Sequence, residues 1–455
     1  MVRENSDGAP LGRYPLASAQ LQFLFDEIEY PENDWVAIRE SVSLPCRLSE
    51  KQARNLLSYV CRQSEAVRSR VVKEVDGNFT QEVTGLDHFF AHSFRYVVSS
   101  QPQDVLAQCP QPLDAFTRSC FFLVADAPAG AVVYYAAHHA FFDGAATGML
   151  HAMILRAAQV PEILEGRRAG VLGEADGEAV QPRHVRAFEE GARGVRSTRR
   201  WLGFHGVPRG LVWSDGSAPS PAEGWSGDGA DGRVRGTADG LDLENRVSFA
   251  LGGRIGQALP HAAARLGIST PSLINSLICG YVGDVFGLRE VTLKTICSNR
   301  FRPALRAALA CLAAEVWAVC EAEDSGRDER HRWFHGELIR AYGSGMYDWD
   351  AVRRTANFPS PYRSGQSVST NITYAKGDRP GPPADDSPVL TLHAPLRVPR
   401  VLGHDLAVHA VIGSRDVRFM VKAAAHRMDE AATRQLARGL FDHFIHSLPF
   451  LRAAP

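Results

Sequence analysis

The chain has 455 residues, of which 45% are hydrophobic and 22% charged, and its formal net charge is −1 at pH 7. This length exceeds what one compact core accommodates and predicts two domains, or two lobes of one enzyme. The near-neutral charge gives no electrostatic reason to expect nucleic acid as a partner, and no apolar run is long enough to span a bilayer. The eight cysteines show no CxxC pair and no zinc-finger spacing, so we expect buried thiols, a reducing compartment and a cytoplasmic location.

Residues 1–165 mix helical and strand patterns and are predicted to form an N-terminal lobe. Within 49–71 the apolar residues fall at helical spacing; they are Ala53, Leu56, Leu57, Val60 and Cys61. Residues 118–139 contain two β-rich runs joined by a turn with Pro and Gly, which predicts a hairpin. After Gly144 a helix is predicted whose apolar face comprises Ala146, Met149, Leu150, Met153, Ile154 and Ala157.

Residues 166–245 are rich in Gly, Asp, Ser and Pro, and we expect a crossover with flexible linker segments there. One short helix is predicted inside this region, over 183–206. Its end is basic and contains Arg193, Arg196, Arg199 and Arg200. These arginines either face solvent, which is the commoner situation for a charged helix face, or meet an acidic protein or a phosphate group.

Residues 246–455 are predicted to form a C-terminal lobe. A helix is expected to begin with Thr270 as its cap and Pro271 in its first turn. Strands are predicted within 291–300, 367–375 and 406–426, and an amphipathic helix closes the chain over 429–451. Mixed helices and strands on both sides of the crossover predict an α/β (α+β layered) fold.

Two adjacent histidines, His138 and His139, end the apolar run "AVVYYAA" and are followed by Asp143 and Gly144. The pattern predicts a strand–loop–helix junction, a place where functional residues gather. A neutral imidazole there can act as a general base. A structural role is open as well, because Asp143 can cap the following helix and a buried histidine can simply belong to the core.

A metal site is the other functional reading of this stretch. Adjacent side chains at a strand end diverge, and local spacing offers no third ligand, so base catalysis is favoured and no metal is expected. His331 and His335 lie four apart on a predicted helix, but the glutamate of the zinc-protease pattern is missing between them.

The segment "HHAFFDG", 138–144, resembles the HHxxxDG signature of nonribosomal peptide synthetase condensation domains and of the wider chloramphenicol-acetyltransferase-like acyltransferases. Three further segments resemble the family in the same order; they are "YPLASAQLQFLF" (14–25), "RQSEAVRSRV" (62–71) and "QPLDAFTRSCFFLV" (111–124). The resemblance implies two chloramphenicol-acetyltransferase-like lobes in a V shape, with the active-site channel between them.

The resemblance also implies roles for single residues. His139 is the general base, and His138 packs beside it or orients the loop. Asp143 holds the loop by an ion pair with an arginine, for which Arg68 and Arg300 are the candidates. Gly144 would let substrate approach the backbone, and its amide could bind developing negative charge. From the C-terminal lobe, Ser369 and Asn371 are candidate polar groups of the substrate channel.

The implied function is that of a free-standing, monomeric condensation enzyme of natural-product biosynthesis. It would transfer an acyl group from the phosphopantetheine thioester of a carrier protein to an amine or hydroxyl acceptor, with no permanently bound cofactor. The segment "TNITY" stands where the family has an Arg-Asn-Pro pattern, so amide and ester formation both stay open. Two alternatives remain, a coenzyme-A-dependent O- or N-acyltransferase and a non-catalytic condensation-like recruitment module.

Overall fold

The computed structural model of the chain describes residues 12–29, 36–99, 108–167, 180–205, 212–213, 241–321, 326–355, 367–375, 390–399, 406–425 and 428–447. Helices and strands are interspersed along these residues, which confirms the predicted α/β class. The chain divides into two compact units. The first comprises Met1–Thr198, Ser298–Ala314 and Met346–Ala351, and the second comprises Arg199–Cys297, Glu315–Gly345 and Val352–Pro455.

The elements up to the division at Thr198 belong to the first unit. The strands are β1 (Gly12–Pro15), β2 (Ala37–Ser43), β3 (Ser69–Lys73), β4 (Phe79–Val83), β5 (Phe94–Val98), β6 (Cys120–Ala127) and β7 (Gly130–His138). The helices are α1 (Ser18–Glu29), α2 (Glu50–Gln63), α3 (Leu86–His92), α4 (Gly144–Ala158), α5 (Pro161–Leu164), α6 (Pro182–Glu190) and α7 (Ala192–His205), the last of which crosses the division.

The remaining elements follow in chain order. They are β8 (Val212–Trp213), β9 (Leu241–Leu251), α8 (Gly253–Leu266), α9 (Thr270–Phe286), β10 (Leu288–Cys297), α10 (Pro303–Arg306), β11 (Ala314–Glu321), α11 (Arg327–Gly343), α12 (Trp349–Thr355), β12 (Ser367–Tyr374), β13 (Thr391–Pro399), β14 (Leu406–Ile412), β15 (Val417–Ala424) and α13 (Glu430–Ser447). Helix α10 lies in the first unit, although its sequence neighbours β10 and β11 belong almost wholly to the second.

The first unit has two sheets, ordered β1-β4-β3 and β2-β7-β6-β5. The predicted hairpin is confirmed, since β6 and β7 pair antiparallel with Ala127 opposite Gly130. Gly130 has φ +127°, and a Cβ there would lie 2.3 Å from the carbonyl oxygen of Leu44, so this turn requires glycine. Strand β5 joins β6 in parallel, and β2 pairs antiparallel with β7 along its full length.

The core of the first unit confirms the two helical stripes predicted from the sequence. All five predicted positions of α2 are 0% exposed. On α4 four of the six predicted positions are fully buried, whereas Met149 and Met153 are partly buried and pack at the edge of the same cluster. Residues on two helices thereby cover the β6–β7 hairpin that carries the histidine pair.

The second unit is built on one sheet, ordered β11-β10-β12-β14-β15-β9-β13, with β8 beside β10. Strands β10, β12 and β14 run parallel, and the pairs from β14 to β13 are antiparallel. Residues of α8, α9, α11 and α13 form one apolar cluster with residues of this sheet. The predicted strands and the closing helix are confirmed, within the part of the chain that the structure describes.

The predicted cap of α9 is wrong by one residue. Ser269 is the N-cap, with extended backbone (φ −80°, ψ 149°), and its side chain accepts from the Ser272 amide at 3.3 Å. Thr270 is the first helical residue and Pro271 the second. A capping side chain must come from a residue that is still extended, which the helical Thr270 is not.

The region predicted as a crossover contains two helices where one was expected. Gly191 has extended backbone (φ −65°, ψ 163°) and separates α6 from α7. Helix α6 belongs to the first unit because buried Glu189 accepts from the Ser18 amide at 2.9 Å. The first unit therefore extends beyond residue 165. Residues 168–179, 206–211 and 214–240 of the predicted linker lie outside the described residues. Among the helices that are described, none is both long and apolar enough to cross a membrane.

Candidate active site

The turn between β7 and α4 carries the two histidines and is fixed by backbone hydrogen bonds. The His138 amide donates to the carbonyl of Ser119 at 2.7 Å, and the His139 amide donates to that of Val36 at 2.6 Å. The amides of Phe141 and Phe142 both donate back to the His138 carbonyl. The buried strand thus ends at His138, and the chain turns at once toward the first residue of α4.

His138 is fully enclosed, with 0% of its surface exposed. Its Nδ1 accepts from the Ala140 amide at 3.1 Å. Its Nε2 lies 3.2 Å from Oε2 of Glu27 on α1. Both ring nitrogens face protein groups. His138 is therefore placed to hold the turn and not to contact a substrate.

His139 is partly exposed and lies against an aromatic ring. Phe23 of α1 stacks on the imidazole with ring centroids 4.0 Å apart and planes inclined by 19°. Burial lowers the pKa of His139 to about 4, while its own backbone and the carboxylate of Asp143 oppose that change. The imidazole is therefore neutral at pH 7 and able to accept a proton.

Asp143 is held by four hydrogen bonds. Its Oδ1 accepts from the Ala146 amide at 2.7 Å, which makes it the N-cap of α4, and from Arg300 at 2.8 Å. Its Oδ2 accepts from Arg300 at 3.0 Å and from the Leu312 amide at 3.0 Å. A buried carboxylate bound in this way anchors the turn.

Arg300 ties the same carboxylate to its own loop. Besides Asp143 it donates to the carbonyls of Ala308 at 2.7 Å and Ala310 at 2.9 Å. The Arg300 and Asp143 side chains are 11% and 6% exposed, so the ion pair is shielded from water. The segment Ser298–Ala314 thereby joins the histidine turn within the first unit.

Of the two arginines proposed as partners of Asp143, Arg68 does not take that place. Its Nε donates to the Cys61 carbonyl at 3.1 Å, and its guanidinium also donates to the carbonyl of Thr84. The amide and hydroxyl of Thr84 in turn donate to the Arg68 carbonyl. Arg68 therefore joins the end of α2 to the end of β4, and Arg300 alone of the two pairs with Asp143.

Gly144 is exposed and begins α4. A Cβ placed on it would meet no atom within 4 Å. The space beside this backbone position is open, next to the N-terminus of a helix of 15 residues, whose dipole favours negative charge.

Ser369 and Asn371 lie on β12 in the second unit. Ser369 is buried and pairs in register with Lys294 of β10, and Asn371 is partly buried and pairs with His409 of β14. Lys294 forms a buried ion pair with Glu315 at 3.0 Å. Burial, with a smaller effect of Lys422, lowers the pKa of His409 to about 4. The candidate channel residues thus belong to a polar and charged part of that sheet.

Phe23 and Glu27 contact the histidine pair and were missed by the sequence reasoning. The segment that resembles the condensation family ends at Phe25, so Glu27 fell outside it. One signal in the sequence pointed to Glu27. It lies four residues after Phe23 and therefore on the same face of an apolar helix. Such a residue gains meaning only when its partner, more than 100 positions away, is known.

The two histidines of α11 have structural partners, and so does part of the basic run of α7. Nδ1 of His331 lies 2.8 Å from Ser276 Oγ, and Nδ1 of His335 lies 2.8 Å from Ser272 Oγ. In the described parts of the chain no group of three or more His, Cys, Asp or Glu is arranged to hold a metal ion. Along α7, Arg200 lies 3.7 Å from Glu337, whereas Arg196 and Arg199 are exposed.

Comparison with known proteins gives matches at the level of structure. No protein-family model and no curated protein matches the sequence. The structure is similar to the epimerization domain of the third module of tyrocidine synthetase B, with TM-score 0.68, 15% identity and coverage of 97% of this chain and 99% of that one. It is also similar to VibH, an NRPS condensation enzyme, with TM-score 0.66, 12% identity and coverage of 96% of both chains.

A third match is the starter condensation domain of rhizomide synthetase RzmA, solved as a point mutant in complex with C8-CoA. Its TM-score is 0.63, its identity 16%, and the match covers 97% of this chain and 95% of that one. The chain therefore has the condensation-domain fold, and the resemblance seen in the sequence is confirmed at that level. Within this fold it is similar along almost its full length to condensation domains of nonribosomal peptide synthetases.

Proposed function

We propose that the protein is an acyltransferase of the condensation type, with His139 as its general base. The observation that carries this proposal is a neutral, partly exposed imidazole on a turn anchored by the buried Asp143–Arg300 pair. The condensation-domain fold supports it, because residues 138–144 of this turn resemble the HHxxxDG signature of proteins with that fold.

In the proposed reaction an amine or hydroxyl attacks the carbonyl carbon of a thioester. As the new bond forms, the acceptor's proton becomes acidic and passes to Nε2 of His139. Collapse of the tetrahedral intermediate breaks the carbon–sulfur bond, and the leaving thiolate takes the proton back from the imidazolium. A base whose pKa is about 4 cannot deprotonate the acceptor beforehand, so proton transfer accompanies attack.

The choice of Nε2 follows from the surroundings of the other nitrogen. Nδ1 of His139 is buried and has no hydrogen-bond partner of ordinary geometry among the described residues. The residue's own backbone raises the pKa of the ring, the sign expected when a carbonyl oxygen faces a ring N–H. We therefore place the ring proton on Nδ1 and the lone pair on Nε2.

Asp143 and Gly144 are assigned supporting parts. Asp143 accepts no proton and holds the turn in place through its four hydrogen bonds. The open space at Gly144 admits the thioester carbonyl near the N-terminus of α4, where developing negative charge is favoured. Ser369 and Asn371 are proposed to bind polar groups of a substrate.

The acyl donor is proposed to be a phosphopantetheine thioester, carried by an acyl or peptidyl carrier protein in natural-product biosynthesis. Coenzyme A presents the same thioester, and a related starter condensation domain was solved with C8-CoA. A coenzyme-A-dependent acyltransferase is therefore the second candidate. The acceptor is a small-molecule amine or alcohol, and the product is an amide or an ester.

The test compares His139→Ala with His151→Ala, a partly buried histidine of α4. Octanoyl-CoA and an octanoyl-loaded carrier protein are offered separately, with a panel of amines and alcohols, and products are measured by mass spectrometry. We expect His139→Ala to lower acyl transfer by roughly 10²- to 10⁴-fold with an unchanged melting temperature. His151→Ala should retain activity.

Each outcome bears on one part of the proposal. Full activity in His139→Ala would remove this residue as the base. The thioester that is consumed separates a carrier-dependent enzyme from a coenzyme-A-dependent one. Carrier binding without turnover in the unmodified protein would instead identify a non-catalytic recruitment module.

A further inference from the structure

Helix α1 reaches both histidines of the pair with two side chains from one face. Phe23 and Glu27 are four residues apart and therefore lie on the same side of the helix. Phe23 stacks on His139, and Glu27 contacts His138. One helix thus contacts the proposed base and also its buried neighbour.

Glu27 is a buried carboxylate between two donors. Its Oε1 accepts from the Ala115 amide at 3.0 Å. Its Oε2 lies 3.2 Å from Nε2 of His138, and both of these atoms are buried. In the described parts of the chain neither atom makes a hydrogen bond of ordinary geometry, so their approach at 3.2 Å is the polar contact that offsets the cost of their burial.

The hydrogen bonding of His138 fixes where its proton resides. Nδ1 accepts from the Ala140 amide, so it carries no hydrogen. The ring proton is then on Nε2, the nitrogen that lies 3.2 Å from Oε2 of Glu27. The hydrogen bond at Nδ1 also stabilises the turn, because it joins the His138 ring to Ala140, the residue that follows His139.

We propose that Glu27 is a positioning residue of the active site. Together with the Ala140 amide it holds His138 as the Nε2–H tautomer and, through His138, fixes the turn that presents His139. This inference rests on the proposed function of His139. A carboxylate is required because both neighbours of Glu27, the Ala115 amide and His138 Nε2–H, are donors. A glutamine would place its NH₂ group against one of them.

The test reads the tautomer directly, in the full-length protein without substrate. Imidazole nitrogen shifts from two-bond ¹H–¹⁵N spectra distinguish the two tautomers, and the loss of a signal in His138→Gln assigns the residue. We expect only the Nε2–H tautomer of His138 in the unmodified protein and a mixture of tautomers in Glu27→Gln. An Nδ1–H tautomer in the unmodified protein would overturn the proposal whether or not any variant folds.

Glu189→Gln is the matched control. Glu189 is buried at the other end of α1, where it accepts from the amide and hydroxyl of Ser18 and where burial raises its pKa to about 8. The same substitution there weakens the anchoring of α1 without touching the histidines. We expect it to leave the His138 spectrum unchanged, and a loss of the single tautomer in this control would show that general loosening of α1 is the cause.

Kinetics with the acyl donor identified above supply the second readout. Misplacement of the base predicts a fall in kcat of roughly ten- to a hundredfold in Glu27→Gln, with KM for the donor unchanged. Unchanged kcat together with an unchanged spectrum would refute a positioning role. If the unmodified protein transfers no acyl group, the proposed function fails while the tautomer result stands on its own.

Discussion

Arg300 donates to both carboxylate oxygens of Asp143, at 2.8 and 3.0 Å, from a position 157 residues further along the chain. The pair is buried, and backbone groups of α4 and of the Arg300 loop also bind to it, while Nε of Arg300 has no hydrogen-bond partner among the described residues. The turn that carries His139 is therefore attached to a distant loop by one ion pair. The strength of this attachment can be measured.

Arg300→Met should destabilise the protein by about 3 kcal/mol, because it leaves the buried carboxylate of Asp143 without its countercharge. Urea denaturation measures the loss. Arg434→Met is the control, since Arg434 pairs with Glu430 on the exposed surface of α13 and such pairs contribute less than about 1 kcal/mol. Equal losses in the two variants would contradict the assigned role of Arg300.

The pH dependence of kcat/KM should reveal a neutral base. Its pKa of about 4 keeps His139 unprotonated above that pH, so activity falls only when the pH drops toward 4. Phe23→Ala exposes the imidazole to water, which raises its pKa toward the ordinary 6.5 and moves the acidic limb to higher pH. A limb that stays in place would show that Phe23 does not shield His139.

Gly144 and Gly130 offer a contrast between activity and stability. A Cβ at Gly144 meets nothing within 4 Å, so Gly144→Ala should change the free energy of unfolding by less than about 1 kcal/mol. If the thioester approaches this backbone, the added methyl group lowers kcat/KM. Gly130→Ala should be strongly destabilising because of its positive φ and the 2.3 Å approach to Leu44. A fully active Gly144→Ala would place the thioester elsewhere.

Buried His331 should make the protein sensitive to acid. Burial lowers its pKa to about 4, so between pH 6.5 and 4 the unfolded chain binds the proton that the folded chain does not. The contribution of His331 to the free energy of unfolding is fully present above about pH 6.5. It decreases as the pH is lowered and is about 2 kcal/mol smaller at pH 5. Urea denaturation at pH 7 and pH 5 should show a smaller difference for His331→Gln than for the unmodified protein.

The exposed His261 of α8 provides the comparison for that experiment, because its Nδ1 lies 2.7 Å from the Gln257 carbonyl of its own helix. His261→Gln should keep the pH dependence of the unmodified protein. An unaltered difference in His331→Gln would mean that other groups cause the acid sensitivity.

Much of the fold was readable from local patterns. The stripe of α2, the β6–β7 hairpin, the strands of the second sheet and the closing helix follow from spacing of apolar residues, which depends on neighbours within a few positions. The cap of α9 was misplaced because Ser269 and Thr270 both carry a capping hydroxyl, and backbone conformation decides between them. The break between α6 and α7 was missed because it depends on the backbone conformation of Gly191, which is extended.

The sequence by itself determined the histidine turn, since strand, loop and helix are contiguous from residue 130 to 158 and their chemistry is local. It could name two arginines for Asp143 but could not choose between them. Only the tertiary structure decided for Arg300, and only it brought Phe23 and Glu27 to the two histidines. The physical reason is that ion pairing, ring stacking and burial depend on distances between atoms in space. A local stretch of sequence does not identify a partner that is more than 100 residues away.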